Sequence, residues 1–168
     1  MELLKFNNDW KHFFEAEKEI LSNALKGQKI CSIEHIGATS VVMCKTAGTI
    51  DLMSSIPSSI DFVTIKNILE RKGYKCDEEK SDYINLMYFV RRNQKRAIVA
   101  TVRLVEQGSI THRELIGFKF YLKENQLHVK KYNEYRESLI KNNGSISEYQ
   151  NAKSAYIESI LKDYCVIK

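Results

Sequence analysis

The order of helical and strand-like periodicities is the strongest constraint on how this chain can fold. An amphipathic helical pattern runs from about residue 9 to residue 26, and its start can be capped by Asn7, Asn8 or Asp9. Two short β-branched runs follow, at about residues 30 to 36 and 49 to 53. Ser59 can then cap a second helix over about residues 60 to 72. This order predicts helices packed against a sheet.

The second half of the chain repeats the change from strands to helices. Residues 83 to 91 and 97 to 106 are rich in aromatic and β-branched side chains, and a short polar turn separates them, which predicts a β-hairpin. From Ser109 onward the pattern is helical, with breaks near Asn125 and at residues 142 to 144; Ser145 or Ser147 can open the last helix. The sequence therefore predicts an α+β fold, with a small mixed sheet covered by helices and a helical C-terminal part. Pro57 is the sole proline, and without a linker we expect one domain over residues 1–168.

Composition excludes several classes of protein. Hydrophobic residues make up 43% of the 168 residues, too many for an intrinsically disordered chain, and charges interrupt every apolar run before membrane-spanning length. The N-terminus lacks the pattern of a signal peptide, and the four cysteines show no metal-ligand spacing. These features predict a cytoplasmic protein with reduced cysteines and no membrane partner. The net charge of +5 suits an anionic partner, but the dispersed basic residues do not favour nucleic acid.

The stretch Glu34-His35-Ile36-Gly37-Ala38-Thr39-Ser40 carries the most chemical information, together with Asp51 on the next strand. A strand that ends in glycine and small hydroxyl residues can bring backbone N–H groups close to a phosphate. An acid at the same end of the neighbouring strand can hold a divalent cation that bridges phosphates. The alternative is an ordinary turn, in which Thr39 and Ser40 bond to local backbone groups. A shift of one residue in register would move Glu34 to the face opposite Asp51.

These residues resemble the central block of the GrpB-like family, whose fold belongs to the nucleotidyltransferase superfamily. In that family an E-H-I-G-S-T-S-V-P-G-L run is followed by K-P-x-I-D. The similarity extends along the chain, to an N-terminal W-x-x-x-F helix (Trp10, Phe13-Phe14), a V-E-x-G-S strand end (residues 105–109), and a closing Y-x-x-x-K-x-x-x-I helix (Tyr149, Lys153, Ile157).

The resemblance implies that the protein binds a nucleotide or another phosphorylated small molecule, and that it can transfer a nucleotidyl or phosphoryl group. Residues 37–40 would hold phosphate through Gly37, Ala38, Thr39 and Ser40. Asp51, with Glu34, would hold Mg²⁺. His35 would act as an acid or base, or is held at the strand end by Glu34. Arg103 and Lys153 would line the pocket; the alternatives are an ion pair for Arg103 and a solvated helix surface for Lys153.

Departures from the family pattern favour a second hypothesis, a non-catalytic nucleotide-binding or regulatory module that has lost the metal site. The departures are Ala38, Ala47, Thr101, Arg103 and Phe120. Thr101 and Arg103 replace an H-x-H pair, and by strand alternation they point to one sheet face. A third hypothesis is an RNA-binding domain that uses the basic residues Arg91, Arg92, Lys95 and Arg96. For this hairpin turn, we favour a solvated charged turn that protects a sheet edge. The sequence makes no prediction of oligomeric state.

Overall fold

Helices and strands follow one another in the predicted order. The computed structural model describes residues 2–58, 62–142 and 145–167, and in that part of the chain five strands and five α-helices are formed. The strands are β1 (Ser32–Ile36), β2 (Ile50–Ile56), β3 (Tyr74–Cys76), β4 (Leu86–Arg92) and β5 (Ile98–Glu106). The helices are α1 (Asp9–Ala24), α2 (Phe62–Arg71), α3 (Ile110–Glu124), α4 (Gln126–Asn142) and α5 (Ile146–Ile167).

The five strands form one mixed sheet in the order β1-β2-β5-β4-β3. β2 and β5 are parallel, and the other neighbouring pairs are antiparallel. The predicted hairpin is the β4–β5 pair, in which Leu86 lies opposite Val105 and Arg92 lies opposite Ile98. This mixed sheet confirms the predicted α+β class.

The two faces of the sheet pack against different helices. On one face, Leu52, Val102 and Phe89 belong to the main core, together with Leu21 of α1 and Leu69 of α2. We call this the α1 face. On the other face, the buried residues Ile36, Met53 and Val105 pack against Leu115 and Ile116 of α3. We call this the α3 face, and it also carries Asp51, because Asp51 is two residues before Met53 on the same strand.

The C-terminal helices have a core of their own that includes the loop after β1. Val41 and Cys44 of that loop are buried against side chains of α3, α4 and α5. The helical members of this cluster include Phe118, Leu122, Val129, Tyr132 and Leu161. The helical C-terminal part is therefore confirmed, and it holds the loop between β1 and β2 in place. No helix in the described ranges is both long enough and apolar enough to cross a membrane.

Local side-chain bonds explain where two helices begin. The Asn7 Oδ1 atom accepts a hydrogen bond of 2.9 Å from the Asp9 backbone N–H at the start of α1. At α5, the Ser145 hydroxyl accepts from the Glu148 N–H at 3.2 Å, and the Ser145 N–H donates to the Glu148 carboxylate at 3.0 Å. This reciprocal pair is a capping box. Of the predicted caps, Ser145 is confirmed, whereas the N-cap position of α1 is taken by Asn8 without a side-chain capping bond.

Two features of the sheet differ from the prediction. β3 was not predicted, since three residues after Gly73 are too few to show a period. β2 continues to Ile56, beyond the predicted end at Met53, because Ser54 and Ser55 are buried in the sheet. The Ser55 hydroxyl lies 2.7 Å from that of Ser32 on β1, so a polar residue is satisfied inside the strand. The predicted cap Ser59 lies outside the described residues.

Candidate functional site

Asp51 is a partly exposed carboxylate on the α3 face, held from the neighbouring strand β5. Its Cα partners are Ile36 on β1 and Thr101 on β5. The Thr101 hydroxyl donates a hydrogen bond of 2.6 Å to Asp51 Oδ1, and the same oxygen lies 3.5 Å from Arg103 Nη1. The Asp51 side chain keeps 23% of its surface exposed. A soluble ligand can therefore reach this carboxylate.

Gly37 is the residue that lets the turn after β1 pass close to Asp51. Its φ of 70° and ψ of −171° are conformations that L-residues avoid. A Cβ atom built at Gly37 would lie 2.3 Å from Asp51 Oδ2 and 3.0 Å from Asp51 Cγ. Glycine is therefore required at this position both by the backbone and by the packing against the carboxylate.

The hydroxyl groups of the turn are engaged in local bonds. The Ser40 hydroxyl donates to the Gly37 carbonyl at 2.7 Å. The Thr39 hydroxyl donates to the Thr49 carbonyl at 3.4 Å and lies 2.9 Å from His35 Nε2. Residues 38–40 form a single short 3₁₀ turn, and Thr39 is buried. These bonds agree with the alternative that Thr39 and Ser40 satisfy nearby polar groups.

His35 is on the opposite face of the sheet from Asp51. It pairs with Leu52 in the β1–β2 register, so its ring lies on the α1 face. There the ring stacks on Phe14 with a centroid separation of 4.4 Å and an interplanar angle of 4°. Burial lowers the pKa of His35 to about 4, so the imidazole is neutral at pH 7. The structure does not bring His35 and Asp51 to one face. The hydroxyl of Thr39 connects the His35 ring to the turn after β1.

Glu34 lies on the same face as Asp51 and is paired with α3. Its register partner is Met53, two residues along β2 from Asp51. The Glu34 carboxylate lies 3.3 Å from Lys119 Nζ, and its side chain is 42% exposed. Lys123, one helical turn after Lys119, interacts electrostatically with both. This arrangement answers the register question that the sequence left open.

Arg103 is held beside Asp51 by strand register and by an aromatic ring. It is two residues after Thr101 on β5, and Tyr88 of β4 is its register partner. The Arg103 guanidinium carbon lies 5.2 Å from the centroid of the Tyr88 ring, within the range of a cation–π contact. Such a contact orients the planar group while its edge stays available to an anion.

Lys153 of α5 reaches the neighbourhood of Asp51. The side chain is half-buried, and burial lowers the pKa of its ammonium to about 8. The charge of Asp51 opposes this shift, whereas Arg103, Arg136 and Lys80 add to it. Lys153 thus lies close enough to Asp51 and Arg103 to interact electrostatically with both. We call Asp51, Thr101, Arg103 and Lys153 the Asp51 site.

Arg136 of α4 is a buried cation next to this site. Its side chain donates from Nε to the Tyr149 hydroxyl at 2.9 Å and from Nη1 to the Lys45 carbonyl. The guanidinium carbon lies 5.0 Å from the centroid of the Tyr132 ring. Among the described residues, no carboxylate lies within ion-pair distance of Arg136, although the residue is only 4% exposed. A buried charge of this kind favours an anion nearby.

Asp51 and Glu34 do not have the donor set of a resident Mg²⁺ site. Magnesium prefers several oxygen ligands at about 2.1 Å in octahedral geometry. Here Asp51 Oδ1 already accepts from Thr101 and faces Arg103, and Glu34 faces Lys119. In the described part of the chain, no three His, Cys, Asp or Glu residues are grouped to hold a metal ion. Magnesium binding stays a prediction, and the cations beside both acids argue against it.

The basic hairpin is largely engaged within the fold. Arg91 points to the α1 face, where its Nε donates to Glu17 of α1 at 2.5 Å. Arg92 donates to the Arg96 carbonyl at 2.8 Å across the turn. The turn joins β4 and β5, which are interior strands, so the predicted protection of a sheet edge is not what the structure has. The two bonds leave fewer cations for RNA.

Comparison with known proteins decides the family. The sequence model of the family described as GrpB protein matches residues 1–163. The chain belongs to the GrpB protein family. Among its relatives, the UPF0157 protein BH1888 of Halalkalibacterium halodurans is 23% identical over 161 residues, which cover 95% of this chain and 80% of that protein. The resemblance found in the sequence is therefore confirmed.

Solved structures confirm the fold of this GrpB-family protein. The crystal structure of conserved protein GrpB from Enterococcus faecalis matches with a TM-score of 0.82 and 23% identity, over 97% of this chain and 96% of that one. A crystal structure of the Cid1 poly(U) polymerase with MgGTP matches with a TM-score of 0.55 and 13% identity, over 89% of this chain and 50% of that one. The fold is nucleotidyltransferase-like, and the protein is a divergent GrpB member.

Three residues near the Asp51 site were not predicted as part of it. Lys119 and Lys123 are four residues apart on α3, a spacing that places two cations on one helix face and that the sequence displays. Arg136 gave no usable signal, because an arginine in a polar helix pattern is normally exposed. Its burial depends on how α4 packs against the loop after β1.

Proposed function

We propose that this GrpB-family protein binds a nucleotide or another phosphorylated metabolite at the Asp51 site. The observation that carries the proposal is the excess of positive charge around two carboxylates, Asp51 and Glu34. Four cationic side chains interact with them: Arg103 and Lys153 with Asp51, and Lys119 and Lys123 with Glu34. A fifth cation, Arg136, interacts with Lys153. Lys80 also interacts electrostatically with Lys153, but its charge is paired with that of Asp77 at 2.6 Å.

Phosphate is the anion that these side chains fit best. The planar guanidinium of Arg103 can donate two parallel hydrogen bonds to phosphate oxygens, and the ammonium of Lys153 adds a point charge. The turn of residues 37–40 comes close to Asp51 because Gly37 has no side chain. Backbone groups of this turn are therefore the further contacts that we propose for a phosphate.

If the protein is catalytic, transfer of a nucleotidyl or phosphoryl group is the reaction that we propose. The likeness in fold to the Cid1 poly(U) polymerase, solved with MgGTP, supports this reaction class. Asp51 would then be the residue closest to the reacting phosphate. The substitution Asp51→Asn should abolish the release of pyrophosphate from a nucleoside triphosphate. Retained turnover in this variant would contradict a catalytic role for Asp51.

A non-catalytic binding module is the second candidate function. It is favoured by the hydrogen bond from Thr101 and the nearby Arg103, which both occupy Asp51 Oδ1. A carboxylate held in this way orients cations for binding but is a poor metal ligand. This candidate predicts saturable nucleotide binding without turnover. For either function, we keep the cytoplasmic location predicted from the cysteines as part of the proposal.

Thermal unfolding with a panel of ligands tests the proposal. The panel is ATP, GTP, CTP, UTP and inorganic pyrophosphate, each with wild type, Lys153→Gln and Lys162→Gln. A ligand at about 100 times its Kd adds about 2.7 kcal/mol to the free energy of unfolding, a rise in Tm of roughly 5–11 °C for this size. We expect Lys153→Gln to reduce the rise. Lys162 is exposed on the same helix, so Lys162→Gln controls for net charge.

The absence of a rise in Tm with every member of the panel would contradict the proposed function. An equal ligand-induced rise in Tm for Lys153→Gln and wild type would show that Lys153 does not contribute to the binding site.

A further inference from the structure

Arg103 and Thr101 both lie next to Asp51 Oδ1, an oxygen that would otherwise be available to coordinate a metal ion. Asp51 Oδ1 accepts from Thr101 and lies 3.5 Å from Arg103 Nη1. On its other side, Oδ2 lies against Gly37, closely enough that a Cβ there would be 2.3 Å away. A divalent cation at Oδ1 would be adjacent to the guanidinium, and two cations at that distance repel each other strongly in a partly buried site.

The guanidinium of Arg103 is oriented but not saturated. It lies over the Tyr88 ring at 5.2 Å, and only 23% of the side chain is exposed. Among the described residues it donates no hydrogen bond within normal distance, because its contact with Asp51 is 3.5 Å long. The donors of this guanidinium are therefore open to a ligand, and a phosphate bound at this edge supplies two acceptors at once.

Lys153 supplies a second cation that interacts with Asp51. It comes from α5, whereas Arg103 comes from β5, so the two charges approach Asp51 from different elements. Lys153 has no ion pair within 4 Å in the described ranges, and its closest ring contact is Tyr149 at 5.9 Å. Two cations with incomplete partners next to one carboxylate match the charge of a phosphate group.

We propose that the Asp51 site binds the phosphate of its ligand without a divalent cation, with Arg103 and Lys153 supplying the positive charge that a metal ion would otherwise provide. This inference rests on the proposed function. It specifies the substrate class further: a phosphate ester or polyphosphate in its metal-free form. Asp51 then acts as a positioning residue, which holds the guanidinium of Arg103 through their mutual attraction.

Calorimetric titration with inorganic pyrophosphate and with ATP, each in EDTA and in Mg²⁺, tests this inference. The proteins are wild type, Arg103→Gln, Arg103→Lys and Arg113→Gln; Arg113 is exposed on α3, so its variant removes the same charge elsewhere. We expect wild type to bind at least as tightly in EDTA as in Mg²⁺. Arg103→Gln should weaken binding by about tenfold or more, the loss typical of a charge-assisted hydrogen bond. Arg103→Lys should give an intermediate loss, and Arg113→Gln should bind like wild type.

The outcomes separate this inference from the proposed function. Binding that requires Mg²⁺ overturns the inference and leaves the proposed function intact. Equal affinities for Arg103→Gln and Arg113→Gln also overturn it. No binding of either probe in either buffer overturns both. If circular dichroism shows that Arg103→Gln does not fold, Lys153→Gln compared with Lys162→Gln in EDTA gives the same test.

Discussion

Replacing Gly37 with alanine should destabilise the protein more than any other single-methyl addition at a glycine of positive φ. At φ 70° and ψ −171°, an L-residue costs about 1–3 kcal/mol in backbone strain. The new Cβ would also overlap Asp51 Oδ2 at 2.3 Å, and overpacking of this kind adds about 1–3 kcal/mol. We expect a loss of about 4 kcal/mol in the free energy of unfolding, or roughly 8–16 °C in Tm. Urea titration and thermal unfolding measure it.

Gly27→Ala is the matched control for this prediction. Gly27 has a φ of 88°, but a Cβ there would meet nothing within 4 Å, so only the backbone share of about 1 kcal/mol is expected. In an Asp51→Ala background, the clashing Oδ2 and Cγ are gone and only a Cβ contact of 3.0 Å is left. Gly37→Ala should therefore cost less there, while Gly27→Ala costs the same. Equal costs for Gly37→Ala in both backgrounds would refute the packing of the turn on Asp51.

Three further predictions concern buried ionisable groups. Glu17→Gln should lower the free energy of unfolding by about 3 kcal/mol in urea titrations, because it leaves Arg91 without its buried partner; a loss below about 1 kcal/mol would contradict this. The folded pKa of Lys153, about 8, is below its ordinary value, so the unfolded chain binds more protons between pH 8 and about 10.4, and stability rises with pH there. In Lys153→Met, the urea midpoint should increase less with pH over this range, whereas an unchanged dependence on pH would exclude the burial of this ammonium. The folded pKa of His35, about 4, is also lowered, so stability should fall as pH drops from about 6.5 to 4; an NMR titration of the His35 ring with a midpoint near 6.5 would refute its burial against Phe14.

Periodicity predicted the helices and most of the sheet because each element buries one face. α1 and the β4–β5 hairpin show this, since both place their apolar residues at the spacing of their own secondary structure. Hydrophobic periodicity does not predict a strand position where a polar side chain is buried. Ser54 and Ser55 look like the end of a strand, yet both are fully buried in β2, and Ser55 is satisfied by a hydroxyl on β1 that the sequence places 23 residues earlier. β3 fails for a different reason, since a three-residue strand carries no period.

The candidate site was predictable where strand alternation alone decides the geometry. Thr101 and Arg103 alternate onto one face, and the structure places both beside Asp51. Alternation also separates neighbours: Glu34 and His35 are adjacent in the motif but lie on opposite faces of β1. Which of the two shares a face with Asp51 depends on the β1–β2 register, and the connection over residues 37–49 is too long for its sequence to define that register. The position of Lys153 depends on the packing of α5 against distant elements, which a single sequence does not encode locally.

The departures from the family pattern place the positive charge near Asp51 on a different strand. In the motif that this sequence resembles, a lysine precedes the acid; here that position is Ala47, and β5 carries Arg103 instead. A structural role for Asp51 would need only one cation. Four cations that act on two carboxylates, with Arg136 next to Lys153, exceed that need, and surplus like charge destabilises a fold by self-repulsion. A bound phosphate removes that repulsion. The surplus is therefore the physical reason to regard this site as one that is completed by an anion.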